Sequence, residues 1–224
     1  MDTIQIQPGL PTIVLNGTEL ELIRSMAIIG PAAGQQISGN GVSRVFNVSG
    51  SQDPAGLHEY RFENLHIING RTSSSVSNGT PLYQCAGGGA GLCAVAGGVN
   101  VQLRVVMRNV EFRSNLSTID HPNNHYGTTA AGGAAYFGHG IDEVDISGAL
   151  FAYNEAEGVS NNFGGAIAAE MFGSLRLANI QFLGNSASSA AGAIYAADGQ
   201  SFTLSRADLA NNKAKDGEPV SIWV

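Results

Sequence analysis

Five times along the chain one spacing returns: apolar, any, apolar, two residues, apolar, any, apolar, two residues, then Asn or Gly. The rows are Tyr60–Phe62–Leu65–Ile67–Gly70, Val105–Met107–Val110–Phe112–Asn115, Val144–Ile146–Ala149–Phe151–Asn154, Leu175–Leu177–Ile180–Phe182–Asn185 and Phe202–Leu204–Ala207–Leu209–Asn212. A unit this short cannot bury its own apolar side, so it must stack on its neighbours. Within a row the apolar residues come in pairs two apart, which puts both on one face of a strand. A helix would need spacings of three and four sustained over at least ten residues, and these are missing.

The two residues between the pairs form a bend. Its second position holds Asn64, Asn109, Gly148, Asn179 and Arg206. Asn and Gly best tolerate the left-handed backbone of a tight corner, so Asn64, Asn109, Gly148 and Asn179 read as a structural turn ladder. Arg206 breaks the series, and its coil is expected to turn differently. A further short strand is expected at Gly132–Tyr136, Gly164–Ala168 and Ala191–Tyr195. The fold expected is therefore all-β: a right-handed single-stranded parallel β-helix with three short strands per coil, the hand following the general rule for parallel crossovers. Phe112, Phe151, Phe182 and Leu209 should form one interior stack. A β-sandwich would also give alternating strands and turns, but not this fixed register.

Composition agrees with a stacked β protein. Thirty Gly suit many tight bends, and they lack the period of collagen. A net charge of −7 with only eleven Lys plus Arg offers no basic stripe, so nucleic acid is not an expected partner. Acidic polysaccharide is likewise disfavoured unless calcium bridges the two. No apolar run reaches the ~18–20 residues of a membrane span. The chain is expected to be a single domain over residues 1–224. Both ends fall within strand-like sequence, so it is expected to be a fragment of, or excised from, a longer protein.

Cys85 and Cys93 flank a Gly-rich segment. In an oxidising compartment a local disulfide is expected, with two buried free thiols as the alternative. Asn-x-Ser/Thr sequons begin at Asn16, Asn47, Asn78 and Asn115.

Gly164-Gly165-Ala166-Ile167 with Phe182–Asn185, and the degenerate Ala191-Gly192-Ala193-Ile194 with Leu209–Asn212, resemble the paired signature of polymorphic outer-membrane protein repeats. Phe112–Asn115 and Phe151–Asn154 match its second half. The resemblance implies a right-handed β-helix at the cell surface or outside the cell, often adhesive. No mode of anchoring carries over with it.

Function is expected in the connections. Long loops are expected over 71–98, 116–131 and 155–163, emerging on one side of the stack. The loop Ile119–Tyr126 is the richest in chemistry. Asp120 and His121, with Glu155 and Glu157 on the next loop, are the candidate acid–base or ligand groups. Asn123, Asn124, His125 and Tyr126 are candidate binding residues. Ile119-Asp120-His121 also resembles the Ile-Asp-His of pectate lyases, but Thr118 stands where those have Trp and no matching Arg motif follows. Asp142 and Asp145 are candidate calcium ligands, although such a patch commonly serves only to protect a strand edge. No cofactor is expected, calcium apart. A nucleophile elbow, phosphate loop and dinucleotide fingerprint are all absent from the sequence, and an ice-binding face of repeated Thr is absent too.

Two functions follow. The first is an extracellular or cell-surface structural or adhesive module presenting one-sided loops to a polysaccharide or a cell-surface protein. The alternative is a polysaccharide-active enzyme, a pectate-lyase-like lyase or a glycoside hydrolase. Oligomeric state is not legible.

Overall fold

The computed structural model describes residues 1–74, 85, 87–119, 131–158, 162–215 and 217–223. All its regular structure is strand, and every strand pair is parallel. The strands divide into three separate sheets of eleven, seven and five.

The largest sheet is curled. One limb runs Asp2–Gln5, Met26–Ile29, Gly56–Glu63 and Val101–Arg108; the other runs Ile13–Val14, Gln35–Ser38, Leu65–Ile68 and Glu111–Arg113. Both limbs meet on Ile141–Ala152, which pairs onward to Ser174–Leu183 and then Ser201–Ala210. The second sheet carries Leu92–Ala94, Ala135–Phe137, Ile167–Glu170 and Ile194–Ala197, among others. The third is Arg71–Ser74, Leu116–Ile119, Glu155–Gly158, Ser186–Ala187 and Lys213–Ala214.

This arrangement corrects the expectation of a right-handed single-stranded parallel β-helix with three short strands per coil. All-β and parallel hold, but the chain forms three separate sheets, the largest one curled through two limbs. The two short strands expected in each later row are one strand of ten to twelve residues. The reason lies in the bend. Asn64, Asn109, Gly148 and Asn179 all take left-handed backbone (φ 52°, 53°, 65° and 55°), and one such residue turns a strand while pairing resumes on its far side.

Two related expectations are also corrected. Arg206 takes the same left-handed conformation (φ 50°) as its neighbours, because pairing with the preceding strand on both sides of the bend imposes it. The segments expected as loops after each row-ending Asn begin as the strands of the third sheet. Their inward residues are small, with Thr72, Ser117, Ala156 and Ala187 in register and buried. They therefore lack the apolar alternation that marks a strand.

The Gly-Gly signature has a packing cause. Gly132 and Gly164 take φ of 65° and 67°. A Cβ on Gly165, the second glycine, would fall on backbone atoms of Ser186 and Gly192. Only glycine permits that approach.

The core lies between the sheets. Phe112, Phe151 and Phe182 stack face to face, with centroids 5.0 and 5.2 Å apart, and all are buried. Leu209 is in register with Phe182 but 39% exposed, since no strand among the described residues pairs beyond Ser201–Ala210. The expected stack thus holds for its three aromatic members.

Buried polar groups are held by a ladder of row-ending residues. Asn115 Oδ1 accepts from Gly70 N at 2.8 Å, and Asn154, Asn185 and Asn212 repeat the contact row by row. Each Asn also donates through Nδ2 to a main-chain carbonyl: Ile67, Phe112, Phe151 and Phe182 in turn.

Candidate functional site

The bend that curls the large sheet opens a groove of about 580 Å³ on its outer side. Asn64, Asn109, Gly148, Asn179 and Arg206 line it as one row crossing five strands. A second row stands two residues further along each strand: His66, Glu111, Leu150, Gln181 and Asp208, in continuous register. Ala32, Ala33 and Gly34 close one end. The groove is thus a product of the repeat itself, and its pitch is the spacing of strands, ~4.8 Å.

Its polar atoms are partly committed. Asn64 Nδ2 donates to Gly30 O at 3.3 Å, Asn109 Nδ2 to Asn64 Oδ1 at 3.4 Å, and Arg206 Nε to Asn179 Oδ1 at 2.5 Å. Glu111 accepts from Arg113 Nε at 2.6 Å. Asn109 Oδ1 and Asn179 Nδ2 have no hydrogen-bond partner among the described residues. Gly148 lies between them, and a Cβ there would sit 2.7 Å from Asn109 Oδ1.

No protein-family model, no curated protein and no solved structure matches this chain.

The residues singled out from the sequence fall in several places. Asn64, Asn109, Gly148 and Asn179 are the turn ladder expected and, beyond that, the floor of the groove. Asp120, His121, Asn123, Asn124, His125 and Tyr126 lie outside the described residues. Glu155 and Glu157 are exposed on the outer face of the third sheet, away from the groove. Asp145 accepts from Arg108 Nη2 at 2.5 Å, and Asp142 is the extra residue of a bulge against Leu103–Arg104. Among the described residues, no group of three or more His, Cys, Asp or Glu is placed to hold a metal ion. No helix among them is long and apolar enough to cross a membrane.

Cys85 and Cys93 form a disulfide, which is compatible with an extracellular protein. The segment it closes is also held by Arg44. That guanidinium donates to Gly88 O at 3.1 Å, Gly89 O at 3.0 Å and Cys85 O, and pairs with Glu19 at 2.7 Å. Burial lowers its pKa, while Glu19 pulls the other way.

Sequence reading missed His66, Glu111, Gln181 and Asp208. Each is an outward position two residues after a bend residue, so aligning outward as well as inward positions would have found the row. It also missed a polar cluster on the outer face of the second sheet. There Tyr136 donates to Glu170 Oε2 at 3.0 Å, and Phe163 stacks on Tyr195 at 4.6 Å. Burial, aided by Asp198, raises the Glu170 carboxyl above its ordinary value despite the Tyr136 hydrogen bond, and burial raises both tyrosines.

The groove is poorly equipped for hydrolysis. Glu111 and Asp208 stand three strands apart in one row, hence ~14 Å. Paired glycosidase carboxylates are ~5–9.5 Å apart.

Proposed function

We propose that this chain is an extracellular or cell-surface adhesive module that presents its outer surface to a glycan or protein partner. The observation that carries this reading is the groove across five strands, whose lining repeats with the strands beneath it. A binding surface gains specificity when its groups are fixed in advance, and the scaffold here supplies that. The Asn ladder and the aromatic stack beneath the groove leave it little freedom to rearrange.

The disulfide supports an oxidising location. The resemblance to polymorphic outer-membrane protein repeats agrees with both the location and the adhesive role. A lyase or hydrolase is less well supported, given the carboxylate spacing in the groove and the pairing of Asp145 with Arg108.

Retention of the immobilised protein on panels of glycans, surface proteins and whole cells tests the reading. Specific retention that is weakened by Asn179→Gly, a change the left-handed backbone accepts, is expected. Unsaturated products or new reducing ends released from a polysaccharide, with or without calcium, would replace adhesion by catalysis.

A further inference from the structure

We infer that the groove takes an unbranched, uncharged polysaccharide lying lengthwise along the bend row, one sugar ring per strand, with Asn109 Oδ1 and Asn179 Nδ2 on either side of Gly148 as its hydrogen-bonding groups. This rests on the reading of the chain as a binding module and names the ligand of its groove.

The pitch comes first. The bend row crosses five strands at four strand spacings, ~19 Å in all. An extended polymer of equatorially linked pyranose rings advances per ring by nearly one strand spacing. About four to five rings therefore stay in step with the row before mismatch accumulates.

The chemistry of the floor agrees. A primary amide offers both an acceptor and donors, which suits hydroxyls that also do both. The two free amide functions flank Gly148: Asn109 Oδ1 accepts on one side and Asn179 Nδ2 donates on the other. Every other member of the row carries a side chain, and the bare main chain at Gly148 lets the Asn109 carboxamide lean over it, 2.7 Å from where a Cβ would stand. A ring lying over Gly148 is flanked by both groups.

Charge selects the class. Glu111 is neutralised by Arg113, and Arg206 stands beside Asp208 in a chain of net charge −7. Such a groove neither attracts polyanions nor offers the acidic run that would draw polycations. A peptide is a poorer occupant. The main chain beneath is already paired, Asn64 N with Arg108 O at 3.0 Å and Asn109 N with Ser147 O at 3.1 Å. No free strand edge is left there for β-addition, and the row has no alternating apolar pockets.

The test is calorimetric titration with neutral linear oligosaccharides (gluco-, manno- and N-acetylglucosamine series) from disaccharide to hexasaccharide, with polygalacturonate and an extended peptide as controls. Affinity should climb with length and level off at about four to five rings. Gly148→Asn pushes the Asn109 carboxamide out of place with a residue that the same left-handed backbone already carries at 64, 109 and 179. It should weaken the best ligand by about tenfold or more and leave the melting temperature within a degree or two of the parent. Length-independent binding, an unaffected Gly148→Asn variant, or preference for polygalacturonate or peptide would each overturn the inference. If the oligosaccharides fail while the parent still adheres to cells or surface proteins, only this assignment falls. Failure on oligosaccharides, surface proteins and cells alike would remove the adhesive reading with it.

Discussion

Asn154 Oδ1 accepts two hydrogen bonds from Asn115, at 3.1 Å from its main-chain N and 2.9 Å from its Nδ2. Asn154 in turn donates through Nδ2 to Phe112 O and Asn185 Oδ1. One fully buried amide thus ties together the ends of three neighbouring strands. Asn154→Ala removes four hydrogen bonds and strips the Asn115 N–H of its acceptor. The expected cost is about 3–4 kcal/mol, read as a lowered urea midpoint. Asn212→Ala, where the ladder is half-buried and water can substitute, should cost about 1 kcal/mol. Equal losses at the two positions would mean that the ladder does not act through burial.

Phe151 sits between Phe112 and Phe182, fully buried, with near-parallel rings on both sides. Phe151→Ala should destabilise the protein by about 3–5 kcal/mol, because the strands paired on both sides hold the cavity open. Phe151→Leu, which keeps most of the volume, should cost far less. A small effect from the alanine change in chemical denaturation would show that the neighbouring strands collapse into the space.

What the sequence conveyed, and what it hid, follows from the same physics. Inward rows such as Val144–Ile146–Ala149–Phe151 carry large apolar side chains, and their period is visible without a structure. The third sheet was hidden because Ser117, Ala156 and Ala187 fill its crowded inner face with small residues, which read as loop. Arg206 was misread because side-chain preference favours Asn or Gly at such a bend, while pairing on both sides overrode it. The groove was hidden for another reason: its floor residues are explained fully by their role as turn formers. Only the register between paired strands brings Asn109, Gly148 and Asn179 side by side. The Tyr136–Glu170 contact is of the same kind, joining residues 34 apart in sequence.

Glu170 gives the stability a definite pH dependence. Its carboxyl is raised in the folded protein, chiefly by burial, so the folded state binds that proton more tightly than the unfolded state. Its contribution is then fully present below the ordinary carboxylate pKa and is lost as pH rises through the raised, folded value. Glu170→Gln keeps an acceptor for Tyr136 and removes the titration. Relative to this variant, the parent should gain melting temperature as pH falls from neutrality into the carboxylate range. A difference between the two that is flat with pH, or that grows toward neutral pH in the parent's favour, would contradict the assignment.

The disulfide and Arg44 hold the same segment, so their effects should not add. Cys85–Cys93 closes a short loop with a sequence separation of 8, and loops of this length are stabilised by about 2–3 kcal/mol. Arg44 fastens that segment from beneath through the carbonyls of Cys85, Gly88 and Gly89. Lysine at 44 retains the charge opposite Glu19 but cannot reach three carbonyls with one compact ammonium group. Arg44→Lys alone, and the paired change of both cysteines to serine alone, should each lower the urea midpoint. Once the disulfide is gone the segment is already partly released, so Arg44→Lys should then cost less than it does in the parent. The double-mutant cycle measures this directly, and a coupling energy of about 1 kcal/mol is expected for groups in contact. Strict additivity would mean that Arg44 acts through Glu19 alone and not by holding the disulfide segment.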